Sequence, residues 1–254
     1  MSPELERYVL QHSEAEPDYL YRLYRAANIR LLHGRMSIGH LQGRLLKMLV
    51  QMVRPRLILE VGTFSGYSAL CMAEGLAPGG KVYTFEINDE QEDFTRQWIE
   101  QSPLSDRIEF IIGDAIREAP RLGLLFDMAF IDGDKRTYVE TYEAVLPLLR
   151  PGGFLLADNT LWDGHVVDPS YDHDHQTLGI RRFNDHVASD RRVEQVILPS
   201  ASEGAQCYFP GADAQPAWCD GQRDAHQDFP RPEHLHLLSQ HLPIRAWLRF
   251  AAGH

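Results

Sequence analysis

Cysteine and long apolar runs are both scarce in this sequence, and their scarcity excludes several classes of protein. The chain of 254 residues contains three cysteines, Cys71, Cys207 and Cys219. These are too few for a disulfide framework, which fits a reducing cytosol. No apolar run reaches the roughly 18 residues that a transmembrane helix needs. The acidic N-terminal segment also lacks the apolar core of a signal peptide. We therefore predict a cytoplasmic protein that has no membrane contact.

Basic residues are in deficit as well. Lys and Arg together number 25 against 36 Asp and Glu, so the formal net charge is −11 at pH 7. Proteins that bind a phosphate backbone usually carry a basic field, so a nucleic acid is a disfavoured partner. Hydrophobic residues make up 44% and charged residues 24% of the chain, as in an ordinary globular protein.

The sequence does contain a regular alternation of short apolar runs and helical segments. The apolar runs predict strands at 57–61, 81–85, 107–112, 126–131, 154–157 and 193–198. Strands that alternate with helices form parallel sheets, and nearly all-apolar strands indicate a sheet that is covered on both faces. The predicted fold class is therefore α/β, with a single doubly wound, mostly parallel sheet.

Composition divides the chain into three parts. Residues 1–55 have apolar residues at helical spacing and predict N-terminal helices that form a cap of the same domain. Residues 56–209 form the sheet domain, whose final strand we predict at 204–209, where GAQCYF alternates. Residues 210–254 contain no lysine and have poor periodicity, so we expect an atypical, irregular tail with one helix near 233–241.

Ligands of doubly wound sheets bind at the carboxyl ends of the strands, so the residues after each strand are the candidates. Residues 60–68, EVGTFSGYS, lack the middle glycine of a dinucleotide loop but let the backbone approach a ligand closely. Glu86 follows Gly62 by 24 residues, close to the roughly 20 expected of an acid that binds ribose hydroxyls. With Asp114 after the third strand, the pattern indicates an adenosine site. Either acid can instead cap a helix.

Two neighbouring strands also end in oxygen-bearing side chains. Asp132 follows one strand, and Asp158 and Asn159 follow the next along the chain. Two adjacent carboxylates repel each other unless a cation or a proton lies between them. Together with an amide oxygen they suit a hard divalent ion such as Mg²⁺, Mn²⁺ or Ca²⁺. Lys135 would be a general base if its pKa fell near a metal. The alternative is a pair of capping acids beside a solvated lysine.

These motifs resemble those of the cation-dependent O-methyltransferases, the family of caffeoyl-CoA and catechol O-methyltransferases. The family's glycine loop, E-x-G-x-x-x-G-Y-S, is similar to residues 60–68. Its metal motifs, D-x-D-K and D-N-T-L-W-x-G-x-V, are similar to 132–135 and 158–166, and the similarity extends over about 30–199. The resemblance implies a Rossmann-like methyltransferase fold, S-adenosylmethionine as methyl donor, a divalent cation, a small ortho-diol acceptor or its CoA thioester, and a homodimer.

The resemblance also implies a role for each candidate residue. The residues implied to bind the donor are Met36, Glu60, Gly62, Ser68, Glu86, Asp114 and Asp132. The cation would be bound by Asp132, Asp158 and Asn159. Lys135 would take the proton of the acceptor hydroxyl, and Trp162 and Tyr138 would line the acceptor pocket.

Several alternatives stay open. Some bacterial relatives methylate a hydroxylated uridine in tRNA, a nicotinamide-dependent dehydrogenase has a similar sheet, and a donor-binding protein could be inactivated by its altered C-terminus. The family's D-G turn before the last strand is replaced either by Glu203-Gly204 with one residue inserted, or by a foreign or frame-shifted segment from Ser200 onward. The remaining alternative is a zinc site in the tail, at Cys207, Cys219, His226, His234 and His236.

Overall fold

The computed structural model describes residues 2–198 and 246–251. The helices are α1 (Pro3–Gln11), α2 (Asp18–Arg30), α3 (His40–Val53), α4 (Tyr67–Gly75), α5 (Glu92–Glu100), α6 (Ala115–Glu118), α7 (Tyr138–Val145) and α8 (His175–Ala188). The strands are β1 (Leu57–Val61), β2 (Lys81–Glu86), β3 (Ile108–Ile112), β4 (Phe126–Ile131), β5 (Leu149–Ala157), β6 (Val193–Leu198) and β7 (Ala246–Ala251). Within the described ranges, no helix has both the length and the apolar character needed to cross a membrane.

The strands form one sheet in the order β3-β2-β1-β4-β5-β7-β6. The pairs β3-β2, β2-β1, β1-β4 and β4-β5 are parallel, whereas β7 is antiparallel to both of its neighbours. The single, mostly parallel sheet that the sequence predicts is therefore confirmed. The strand order reverses between β1 and β4, and ligands of such sheets bind outside the carboxyl ends of the strands at this switch point.

Alternate side chains of the central strands enter two cores, one on each face of the sheet. Ile58 and Met128 belong to the first core, whereas Leu59 and Ala129 belong to the second. Helices α2, α3 and α4 contribute to the first core, and α7 and α8 to the second. Because both faces are covered, the strands are nearly all apolar. The N-terminal helix α2 buries Leu20 in the first core, so it packs on the sheet domain.

Three predicted strands, 57–61, 126–131 and 193–198, have the predicted bounds. Strand β5 is longer than the predicted 154–157, because it begins at Leu149 and runs through Pro151, Gly152 and Gly153. Its pairing with β4 shifts register along that segment. The two ends of β5 are thus both hydrogen-bonded to β4, and the residues between them bulge.

Strand β7 corrects the expectation of an irregular tail. It lies at 246–251, between β5 and β6, in a segment for which the sequence analysis predicts no strand. The predicted strand at 204–209 and the predicted helix near 233–241 lie outside the described residues. The five side chains of the alternative zinc site lie outside them as well.

Candidate functional site

A cavity of about 1030 Å³ lies at the carboxyl ends of the parallel strands. Its volume is at the upper end of the roughly 300–1,000 Å³ typical of small-molecule sites. Predicted site residues that line it are Met36, Gly62, Glu86, Asp114, Asp132, Lys135, Asp158 and Asn159. Trp162 also lines the cavity. The strand ends thus bring the predicted adenosine and cation residues into one site.

The loop after β1 is shaped by two glycines. Gly62 has φ +101°, and a Cβ atom on it would lie 2.3 Å from the carbonyl oxygen of Asp132. Gly66 has φ +83° and immediately precedes α4. Only glycine adopts such backbone freely, so the motif is required by the close approach of this loop to the end of β4. The hydroxyl of Ser65 lies 2.6 Å from that of Ser37, which connects the loop to the cavity-lining segment before α3.

Both acids of the predicted adenosine site are held by backbone amides. The backbone N–H groups of Phe64 and Asn88 donate to the two carboxylate oxygens of Glu86, at 2.8 and 2.9 Å. Asp114 caps α6 by accepting from the N–H of Ile116 at 3.0 Å. Asp114 therefore acts as a helix cap and also lines the cavity. These bonds fix the direction of both carboxylates before any ligand binds.

Glu60 and Ser68 lie behind the cavity wall. Glu60 is completely buried, and the hydroxyl of Thr84 donates to its Oε2 atom at 2.5 Å. Burial raises the pKa of Glu60 to about 8, and the negative charge of Asp132 adds to this effect. Ser68 is buried in the first turn of α4. The structure therefore places these two predicted donor-binding residues where they support the glycine loop.

Asp132 and Asp158 lie side by side at the ends of β4 and β5. The N–H of Asp158 donates to the carbonyl of Ile131 at 3.0 Å, which continues the pairing of the two strands. Burial and the charge of Asp132 raise the pKa of Asp158. The amide of Gln42 donates to Oδ2 of Asp158 at 2.9 Å. Asp158 is buried, whereas the side chain of Asp132 is 19% exposed. Two adjacent carboxylates repel each other unless a cation or a proton lies between them.

Lys135 supplies positive charge to this pair. Its ammonium donates to Oδ1 of Asp132 and to the hydroxyl of Tyr138, both at 2.7 Å. Burial lowers the pKa of Lys135, but the charges of Asp132 and Asp158 and the hydrogen bond to Asp132 outweigh burial and raise it. The hydroxyl of Tyr138 donates in turn to the carbonyls of Ile131 and Asp158 at 3.2 Å. Tyr138, predicted to line the acceptor pocket, thus lies behind Lys135 and holds it in place.

The oxygen atoms of Asp132, Asp158 and Asn159 are of the type that binds a divalent cation. Across residues 2–198 and 246–251, no three His, Cys, Asp or Glu side chains come together as a metal cluster. The predicted site accordingly depends on two carboxylates and on the amide of Asn159 for its third ligand. Asn159 has φ +57°, a left-handed conformation that asparagine tolerates better than most residues. Such a set leaves coordination positions for water or substrate.

Sequence reasoning misses the role of Gln42. This residue lies in the first turn of α3, on the same buried face as Leu46 and Val50. Positions 42, 46 and 50 are four residues apart, the spacing of a helical stripe. A polar residue on an otherwise apolar stripe is the signal that points to a buried hydrogen-bond partner. Its partner, Asp158, is 116 residues away in sequence, so the pattern alone cannot name it.

Comparisons with known proteins agree with this geometry. Residues 10–205 match the sequence model of a family described as O-methyltransferase. The chain is 34% identical over 167 residues to a catechol O-methyltransferase of Niastella koreensis, covering 64% of this chain and 75% of that protein. It is 30% identical over 210 residues to a caffeoyl-CoA O-methyltransferase of Stellaria longipes, covering 78% of this chain and 87% of that protein.

Solved structures show the same fold. An O-methyltransferase from Bacillus cereus in complex with SAH has a TM-score of 0.75 and 25% identity, covering 98% of this chain and 97% of that one. The O-methyltransferase TomG from Streptomyces achromogenes, in complex with SAM, has a TM-score of 0.75 at 23% identity, covering 98% of this chain and 96% of that one. The fold is thus the Rossmann-like methyltransferase fold. The chain belongs to the O-methyltransferase family.

Proposed function

We propose that this enzyme transfers a methyl group from S-adenosylmethionine to one hydroxyl of a small ortho-diol, a catechol or its CoA thioester. The transfer would depend on a divalent cation, which we propose to be Mg²⁺. The observation that carries the proposal is the carboxylate pair of Asp132 and the buried Asp158, which lies beside Lys135 in the cavity that Glu86 also lines. Two of its relatives are named for catechol and caffeoyl-CoA O-methylation. The SAH and SAM complexes of similar structures support the donor.

The donor would occupy the end of the cavity formed by the loops after β1, β2 and β3. Glu86, fixed by two backbone N–H groups, would accept hydrogen bonds from the ribose hydroxyls. Asp114 would lie near the adenine, and Gly62 would allow close approach of the backbone. Met36, 64% exposed and on the cavity wall, would lie near the donor. Preformed groups of this kind reduce the entropy lost when two reactants are aligned.

The acceptor would bind beside Asp132, Asp158 and Asn159, the three residues that would hold the cation. A divalent cation held by these residues would lower the pKa of a bound hydroxyl and would orient the diol. Neutralising the two carboxylates would remove the charges that keep the pKa of Lys135 high. Lys135 can then take the proton of the hydroxyl at Nζ. Tyr138, hydrogen-bonded to Nζ, keeps the amine directed toward Asp132.

The test is labelled-methyl transfer from S-adenosylmethionine to catechol, with Mg²⁺ and again with a chelator. We expect transfer that the chelator abolishes. We expect Asp158→Ala to lower kcat/KM by about 100-fold or more, since even indirect partners of metal ligands cost roughly 10–100-fold. The control is Asp185→Asn, which changes an exposed carboxylate on α8 and should leave the rate unchanged.

Two results would contradict the proposal. Transfer that persists in chelator, with Asp158→Ala as active as the wild type, would refute the role of the cation. Absence of transfer to catechol and to caffeoyl-CoA by a protein that binds SAH in calorimetry would refute the acceptor class. Calorimetry with SAH therefore accompanies every variant.

A further inference from the structure

The segment after β5, residues 159–172, has an irregular backbone and contributes directly to the cavity. It begins at Asn159, next to Asp158, and it places Trp162 on the cavity wall. Trp162 and Asp163 have φ values of +45° and +53°, in the left-handed region that most side chains avoid. Backbone of this kind persists only where surrounding contacts fix it. The contacts that fix this segment therefore determine where Trp162 lies.

One side chain on α8 makes four hydrogen bonds to this segment. Arg181 donates from Nε to the carbonyl of Val166 at 2.9 Å, and from Nη2 to the carbonyls of His165 and Asp168 at 3.0 and 2.9 Å. Its Nη1 donates to the carboxylate of Asp172 at 2.6 Å. A guanidinium carries five N–H donors in a rigid planar fork, so it can join three carbonyls at once. A lysine has a single nitrogen and cannot reproduce this geometry.

Helix α8 can hold this segment firmly, because the helix is anchored in the core and also contacts the backbone of Lys135. Phe183 is completely buried. A Cβ atom on Gly179 would lie 2.3 Å from the carbonyl oxygen of Lys135, so α8 packs against the backbone of the proposed general base. The amide of Asn184 donates to the carbonyl of Thr160 at 2.8 Å. One helix therefore holds the backbone of Lys135 and both ends of the segment.

We propose that Arg181 is a positioning residue of the acceptor half of the site. It acts through residues 159–172, which it holds so that Trp162 faces the acceptor, and it does not itself line the cavity. The proposal rests on the proposed function in that it assigns Trp162 to the acceptor. The hydrogen bonds of Arg181 go to residues 165–172. The donor half, formed around Gly62, Glu86 and Asp114, should therefore keep its geometry when Arg181 is changed.

The test compares Arg181→Gln, Arg181→Lys and the matched control Arg182→Gln. Arg182 is adjacent on the same helix, and its guanidinium donates to the carbonyl of Arg136 at 3.1 Å, outside the segment. For Arg181→Gln we expect the KM for catechol to rise roughly tenfold with kcat changed less than about threefold. The Kd for SAH should stay within about twofold of the wild type. Arg181→Lys should fall between wild type and Arg181→Gln, and Arg182→Gln should match the wild type.

A second measurement does not depend on activity. Hydrogen exchange of the amides in residues 160–172 should be faster in Arg181→Gln than in the wild type and unchanged in Arg182→Gln. Unchanged exchange in this segment would overturn the proposal. Weaker SAH binding together with faster exchange across the whole chain would also overturn it, because Arg181 would then serve general stability. If the wild type transferred no methyl group to a diol, the proposed function would fail, while the exchange data would still decide whether Arg181 positions the segment.

Discussion

Glu60 connects the site to the pH dependence of stability. Its pKa is about 8 in the folded protein against an ordinary value of 4.5, mainly because it is buried. Between these two pH values the folded state retains a proton that the unfolded state has released. The contribution of this group to stability is therefore complete below about pH 4.5 and is lost as the pH rises to about 8. At neutral pH Glu60 is mostly a neutral acid.

Replacing Glu60 with glutamine tests this assignment. Glu60→Gln removes the titration, so the fall in the free energy of unfolding from about pH 5 to pH 8 should be smaller by a few kcal/mol, at about 1.4 kcal/mol per unit of pKa shift. Urea unfolding at four pH values measures the slope. The exposed Glu100→Gln should keep the wild-type slope. A Glu60→Gln slope equal to that of the wild type would show that Glu60 ionises at an ordinary pKa.

At the scale of elements, the loop between β1 and α4 depends on the absence of a side chain at Gly62. A Cβ atom there would meet a backbone carbonyl at 2.3 Å, and φ is +101°. Gly79 is a matched control, because its φ is +82° but no atom lies within 4 Å of its ideal Cβ. We expect Gly62→Ala to cost roughly 3 kcal/mol or more and Gly79→Ala about 1–2 kcal/mol. Urea unfolding distinguishes them. Equal losses in the free energy of unfolding would mean that the loop rearranges to accommodate the added methyl group.

The elements also show what the sequence can predict. Strands β1, β4 and β6 follow from apolar runs bounded by turn residues, which are local signals. Strand β7 pairs with β5 and β6, which lie far away in the chain, so its place in the sheet cannot be read from local sequence. The sequence predicts too late a start for β5 because Pro-Gly-Gly is typical of a turn, whereas in the structure it forms a bulge between paired positions.

The residues of the candidate site likewise fall into those that local sequence predicts and those that depend on tertiary packing. Asp132, Lys135 and Asp158 could be predicted because each follows a strand, and strand ends of a parallel sheet meet at one edge. Gln42 and Arg181 could not be assigned, since their partners are set by helix packing. The complete burial of Glu60 could not be predicted either, because it results from tertiary packing.

At the scale of the whole molecule, the net charge favours a small diol over tRNA as the methyl acceptor. The formal net charge is −11, and binding to a phosphate backbone requires Lys and Arg contacts whose strength falls steeply with salt. We expect no retarded complex with tRNA in a gel at about 0.15 M salt and micromolar protein. A retarded complex under these conditions would favour the hydroxylated uridine as acceptor. The homodimer implied by the family resemblance stays a prediction that light scattering can check.

A backbone contact joins the two halves of the site. Because Gly62 lies directly against the carbonyl of Asp132, the loops after β1 and β4 cannot move independently. Ordering of one loop by a bound donor therefore orders the other, and a cation at Asp132 would meet a site whose entropy is already reduced. Thermodynamic reciprocity then requires symmetry. If the bound donor raises the affinity for the cation by some factor, the bound cation must raise the affinity for the donor by the same factor.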